Sequence, residues 1–463
     1  MKKFTKLLSL LLTLVMVVAL FAGCGSKDEE KTTDTTKEAT TEATTEETKE
    51  ETATEEVMAE GLVADISVQV EEAWLPYYQD AADRVLAGNP DSTINFIVAG
   101  SFDHLDVLDS TDVTNEDVAD VFAIPADRIY GLAQNEALAE IDALTMAANV
   151  GGFGDYDAGL GGNFNVDGYY LAFPMNIETL INFANSANAE ANGIDLTKTI
   201  EFTELNYQDM LVPVFNAWFG VAMTNAADIE LLGFDDSGVL YSDMTKDFAD
   251  LTPAQQDVMT ALFDYWKAHD EAGTDLWDKD AAWGYMDSEF TTGGMNSLRI
   301  EGPWSTGGLS EKAGFGEDLV VLPINQVTIA GNPLLHWKGG WGLSVNARVE
   351  GDEEKMLLSQ AFIEEVVNTE FAIDFFKATG KILENVDASV YEASDMSDIN
   401  KKVVAAVIQS YQDAPARPLF SEWGQVWNTW ENAILSWASV KPATVEDAYA
   451  EVKAAFESMM LNF

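Results

Sequence analysis

The chain predicts an α/β fold in two lobes, each built on a mostly parallel, twisted sheet. Three observations lead there. Short apolar strand-like runs alternate with amphipathic helical stretches from Asp65 onward, the pattern of β/α/β units. The segment from Leu62 to Phe463 is rich in Trp, Phe, Leu and Val, and one hydrophobic core rarely grows beyond roughly 250 to 300 residues. Two later strand-like runs are flanked by Gly or Pro, which suits passages between lobes.

The N-terminal stretch stands apart from that body. Lys2, Lys3 and Lys6 precede an apolar run from Leu7 to Phe21, too short to span a bilayer comfortably but suited to a secretory signal. It ends in Phe21-Ala22-Gly23-Cys24, and Cys24 is the only cysteine of 463 residues, so no disulfide can form within the chain. The tetrapeptide resembles the bacterial lipobox, with Phe21 where Leu is usual. That resemblance implies removal of residues 1–23 and acylation of Cys24; the alternative is ordinary cleavage near Ala22 with a free thiol. Two or more acyl chains, at about 0.8 kcal/mol per buried methylene, anchor a protein stably where one does not. Residues 24–60 follow as Thr, Glu, Lys and Ala with no aromatic residue, too little apolar surface to offset the entropy of ordering. We expect a disordered acidic linker there.

Within the body, Asp65–Val70 alternates as a strand, Leu75 to Leu86 reads as a helix, and Ser92 to Val98 as a second strand. Val118 to Ile124 is an apolar run suited to a buried strand. Gly168 to Met175 and Gly340 to Asn346 are the candidate crossovers. Helical periodicity dominates the last 120 or so residues, including Lys355 to Phe376 and Val426 to Trp437. Crossings near Met175, Gly342 and Asp398 divide the chain into lobe 1 at 61–175 plus 342–397 and lobe 2 at 176–341 plus 398–463.

Composition excludes whole classes of function. With 79 acids against 25 bases and a formal charge of −54, the surface repels nucleic acid and anionic lipid, whose phosphates need basic partners. The three histidines (His104, His269, His336) form no metal-type spacing, and neither Asp103 to Asp120 nor Asp235-Asp236-Ser237-Gly238 has the spacing of an EF-hand loop. No metal, no cofactor and no catalytic role are expected, and a monomer is. Asp278 with Asp280, or Glu301 with Glu178, would be the carboxylate pairs of a glycoside hydrolase, but their spacing singles out no couple.

Five spaced motifs carry a resemblance to a family. Ala126-Asp127-Arg128 follows the third strand and precedes Ala133 to Ile141; Phe173 to Glu178, Arg299-Ile300-Glu301-Gly302-Pro303-Trp304, Val426 to Trp430 and Thr444 to Ala448 follow in order. The chain from Ala64 to Met460 thereby resembles the bacterial extracellular solute-binding proteins of oligosaccharide ABC importers, the maltose-binding group. The resemblance implies a periplasmic-binding-protein-like fold, with hinge strands joining the lobes and a sugar cleft between them. It also implies delivery of an oligosaccharide, foremost maltose or a short α-1,4-glucan, to importer membrane subunits. Galactan, xylan or mannan oligomers, a glycoside hydrolase and a surface glycan adhesin are the alternatives.

The residues fit such a ligand on their own chemistry. A pyranose has apolar C–H faces and a hydroxyl rim, which call for flat aromatic platforms and planar hydrogen-bonding groups. Eleven of the twelve tryptophans lie between Trp218 and Trp437. By resemblance, Trp304 and Trp427 are platforms, Trp283 replaces a cleft Tyr, and Asp127, Arg128 and Glu178 are rim ligands. Glu72 falls near the family's first polar ligand, Trp74 is an added platform, and Trp341 faces the cleft from a glycine-flanked strand. Trp430, one turn beyond Trp427, is expected in the core, and Trp218 with Phe219 lies near a further aromatic of the second lobe.

Overall fold

The computed structural model describes residues 60–235 and 237–463, so the signal segment, Cys24 and nearly all of the acidic linker lie outside the described residues. Strand β1 (Asp65–Val70) feeds helix α1 (Leu75–Gly88), which returns to β2 (Thr93–Val98). Pro76 sits in the first turn of α1, where its missing N–H costs nothing, and Tyr77, Tyr78, Ala81, Ala82 and Val85 form its buried stripe. β1 and β2 pair in parallel from Asp65↔Thr93 to Val70↔Val98. The wholly buried β3 (Val121–Pro125) lies parallel on the other side of β1.

β4 (Phe173–Glu178) belongs to this first sheet, yet three residues further on β5 (Ile181–Asn185) belongs to a second. The second sheet is completed by β6 (Met210–Leu211), β7 (Leu298–Glu301) and β8 (Leu319–Leu322), in the order β8-β5-β7-β6. The chain returns to the first sheet through β9 (Gly339–Val345) and closes it with β10 (Ile382–Leu383), in the order β10-β4-β9-β3-β1-β2.

The sheets are mixed, which corrects the expectation of mostly parallel ones. β9 runs antiparallel to β3 and β4, β10 antiparallel to β4, and β5 antiparallel to β7 and β8; only β7 and β6 pair in parallel in the second sheet. Parallel pairing needs a crossover on the sheet face, as β1-α1-β2 has. β9 arrives from the other sheet, so no crossover imposes a direction on it.

Each sheet has its own packing. Helices Pro253–Ala272, Gly424–Val440 and Val445–Met460 cover the second sheet around Trp266, Trp430 and Trp437. Tyr78, Phe173, Phe362 and Phe375 lie against the first, and Phe183 and Val321 of the second sheet join that same core, as do Val403 and Val407 of helix Asp398–Asp413. The single helix expected over Lys355 to Phe376 is two, Glu353–Val366 and Ala372–Thr379. Asn368 divides them, its side chain accepting the Glu370 N–H at 3.0 Å in an Asx turn that competes with helix. Among the described residues no helix is long and apolar enough to cross a membrane.

Candidate ligand-binding cleft

A cleft of about 910 Å³ opens between the two sheets. Of the residues expected to bind, Trp304, Trp427, Glu178, Asp127, Arg128, Trp74 and Trp341 line it. Each is placed by local chemistry. Trp304 follows Gly302-Pro303, and a Cβ at position 302 would come within 2.1 Å of its indole, so only glycine lets the ring fold back over the backbone. Pro303 opens the 3-10 turn Pro303–Ser305, and 48% of Trp304 stays exposed to the cleft and solvent. Trp427 is half-buried on helix Gly424–Val440, while Trp430, one turn on, is buried with its N–H donating to the Val214 carbonyl at 2.7 Å.

Polar groups sit between the rings. Asp127 and Arg128 come from the 3-10 turn Ala126–Arg128 that follows β3. Asp127 pairs with Arg417 at 2.8 Å through one carboxylate oxygen, while its buried Oδ1 has no hydrogen-bond partner. Arg128 pairs with Asp109. Glu178, at the end of β4, accepts the Trp341 indole N–H at 2.9 Å. Trp341 is in turn edge-on to Phe102, with ring centroids 5.2 Å apart.

Two expected residues stand elsewhere. Glu72 opens the 3-10 turn Glu72–Trp74 and points to solvent; Glu71, one residue earlier, takes the cleft position and accepts the Ser101 hydroxyl at 2.8 Å. Trp283, on helix Ala282–Phe290, packs edge-on against Phe219 at 5.3 Å, outside the cleft lining. Phe219 is core, whereas its neighbour Trp218 lines the cleft. Glu301 is buried and held by Arg299, with the Ser305 hydroxyl donating to its other oxygen at 3.2 Å; it contributes nothing to the lining.

The structure adds residues that no motif marked. Asn216 caps helix Ala217–Thr224 by accepting the Trp218 N–H at 3.0 Å. Arg417 stacks its guanidinium on Trp218 at 5.0 Å and on Trp337 at 5.7 Å. Lys381 places its ammonium 5.4 Å from the Trp74 ring centre and 4.9 Å from that of Trp341. Burial pushes its pKa down, opposed by Glu178 and Glu71. Phe420 and Trp423 complete the aromatic side of the cleft, and Trp337 and His336 back it. Burial drives His336 down to about 3, so it is a neutral ring bonded through Nε2 to the Trp218 carbonyl at 2.9 Å. Three cations (Arg128, Lys381, Arg417) face three acids (Glu71, Asp127, Glu178), so the lining is electrically balanced within a chain of formal charge −54. Such a surface suits a neutral, hydroxyl-rich ligand with apolar faces. Among the described residues no group of His, Cys, Asp and Glu could hold a metal ion.

No family model matches the chain. It is 24% identical over 408 residues to the maltodextrin-binding protein MdxE of Bacillus subtilis, covering 85% of this chain and 90% of that one. Among solved structures, the maltose-binding periplasmic protein MalE of Listeria monocytogenes, in complex with maltose, superposes with a TM-score of 0.65 at 18% identity, covering 87% of this chain and 99% of the other. MalX of Streptococcus pneumoniae, in complex with maltopentaose, gives 0.63 at 17% identity, covering 85% and 99%. These likenesses establish a periplasmic-binding-protein-like fold.

Proposed function

From that fold and the composition of its cleft, we propose that the chain is a receptor that captures a maltooligosaccharide between its two lobes and delivers it to an ABC importer. The observation that carries this reading is the lining itself: the indoles of Trp304 and Trp427 share one cleft with the charged groups Asp127, Arg128 and Glu178. The ring's C–H face would cover the indoles, and its hydroxyls would bond to the charged groups between them. Sequence similarity to a maltodextrin-binding protein over most of both chains supports the same ligand class.

The lobes of this proposal are 61–175 plus 342–397 and 176–341 plus 398–463, with the first passage moved on past Glu178, where β4 ends, and the second drawn back to Gly339, where β9 begins. A ligand touching both lobes favours the closed arrangement, and that population shift is what importer subunits would read. The chain works by binding, without chemistry on the sugar. Acylated Cys24 would hold it at the outer face of the cell membrane on the linker of residues 24–60.

Calorimetry against a panel of maltooligosaccharides and of galactan, xylan and mannan oligomers tests the ligand class, with binding expected for the first group. Trp304→Ala should lose about 2 to 4 kcal/mol of that binding, the loss typical of a desolvated aromatic anchor. Wild-type affinity in a folded Trp304→Ala protein would remove the platform role.

A further inference from the structure

The aromatic surface does not stop at the rim of the cleft. Phe420 belongs to the lining, and the ring of Phe234 packs against it with centroids 4.7 Å apart and planes at 61°. Phe234 nevertheless leaves 51% of its surface in solvent.

The local sequence fixes this ring in place. Gly233–Phe234 pairs antiparallel with Leu240–Tyr241, and paired residues share a face, so Phe234 lies beside Leu240 while Tyr241 lies on the opposite face. Leu240 packs against the large core of the second sheet. Asp235 closes the turn, its carboxylate accepting the N–H groups of Ser237 at 2.8 Å and Val239 at 3.0 Å. At the base, the Glu230 N–H donates to the Asp243 carboxylate and the Asp243 N–H to the Glu230 carbonyl, both at 2.9 Å. A Cβ at position 233 would come within 2.8 Å of the Glu230 side chain, which packs close against this strand. Phe234 is therefore presented by a hairpin fastened at both ends.

We propose that Phe234 and Phe420 form an outer subsite that stacks the part of the oligosaccharide projecting beyond the cavity, so that the receptor selects longer chains. The proposal rests on the maltooligosaccharide reading above. Its occupant follows from continuity: Trp427 and Phe420 both line the cavity, and Phe420 meets Phe234 at its rim. A linear neutral sugar offers a succession of apolar faces to such a line of rings.

The test is calorimetry on the full chain with maltose, maltotriose, maltopentaose and maltoheptaose. Wild-type affinity should rise with length, and Phe234→Ala should lose about five- to tenfold for maltoheptaose while leaving maltotriose unchanged. Phe234→Trp, which keeps a platform, should retain the long-chain affinity. The outer subsite is overturned if Phe234→Ala binds maltoheptaose as wild type does, if it weakens short and long ligands equally, or if wild-type affinity ignores length. Failure of every maltooligosaccharide to bind the wild type would overturn the underlying ligand reading, and the subsite with it.

Discussion

Lys381 has three N–H donors, two indole neighbours and, among the described residues, no carboxylate within ion-pair distance. Its desolvation disfavours the charged form, which is why its pKa is pushed down. A bound sugar oxygen would repay that deficit, so Lys381→Met should weaken ligand binding by about 1.5 to 3 kcal/mol while leaving thermal stability equal or higher. Calorimetry and a melting curve on the same protein check both halves; unchanged affinity would reduce Lys381 to a spacer between Trp74 and Trp341. Nothing in the linear sequence marks this lysine, because it meets Trp74 across 307 positions and Trp341 across 40. Arg417 is hidden for the same reason. Trp304, by contrast, is marked by the likeness of Gly302-Pro303-Trp304 to the family turn, and the structure adds the reason: glycine at 302 leaves the space for the ring. Glu72 is placed by resemblance just past β1 and stands one residue from Glu71, which takes the cleft position, because a likeness in position does not fix the direction in which the following 3-10 turn rotates. Trp283 stands outside the lining because spacing along the chain does not reveal its packing against Phe219.

β9 shows how an element can be read correctly for a different reason. Its glycine-flanked run reads as suited to a passage between lobes, and the structure shows those glycines in close packing on both neighbours. A Cβ at Gly340 would sit 2.4 Å from Leu160 and 2.5 Å from the Asn176 carbonyl, and one at Gly342 2.7 Å from Phe164. The register with β4 also shifts between Trp341 and Gly342, a bulge that re-aims the indole toward Glu178. Gly340→Ala should accordingly destabilise the fold by about 1 to 3 kcal/mol, the usual cost of overpacking, and urea unfolding would register it. A neutral result would mean that β4 and β9 separate more easily than their pairing implies. The strands β1 and β2 were readable to within a residue because alternation and flanking turns agree there. The direction of β9 was not, because pairing direction depends on the route the chain takes between sheets.

At the scale of the whole molecule, two groups of side chains set opposite responses to pH. Desolvation pushes Glu230, Glu364 and Glu384 up to about 7 from 4.5, so the folded state holds protons that the unfolded chain has released. The stability they contribute is lost as pH rises from about 4.5 through 7. Burial drives His104 and His269 down to about 4 and His336 to about 3, from 6.5, so the unfolded chain binds protons first and stability falls as pH drops from 6.5. Three groups oppose three between pH 6.5 and 4.5. The melting temperature should thus be nearly level over that interval, decline toward about pH 8 and decline again below about pH 4.5. Glu384→Gln should flatten the alkaline decline, and a melting temperature that climbs steadily from pH 6 to 8 would contradict the assignment. One further property follows from the crowd of rings around the cleft. Trp74, Trp218, Trp304, Trp341, Trp423 and Trp427 line it with Trp337 behind them, so expelling water from that space changes the surroundings of seven fluorophores at once. The molecule thereby carries its own optical gauge of occupancy, and a shift in its ultraviolet-excited emission can follow a titration without any attached dye.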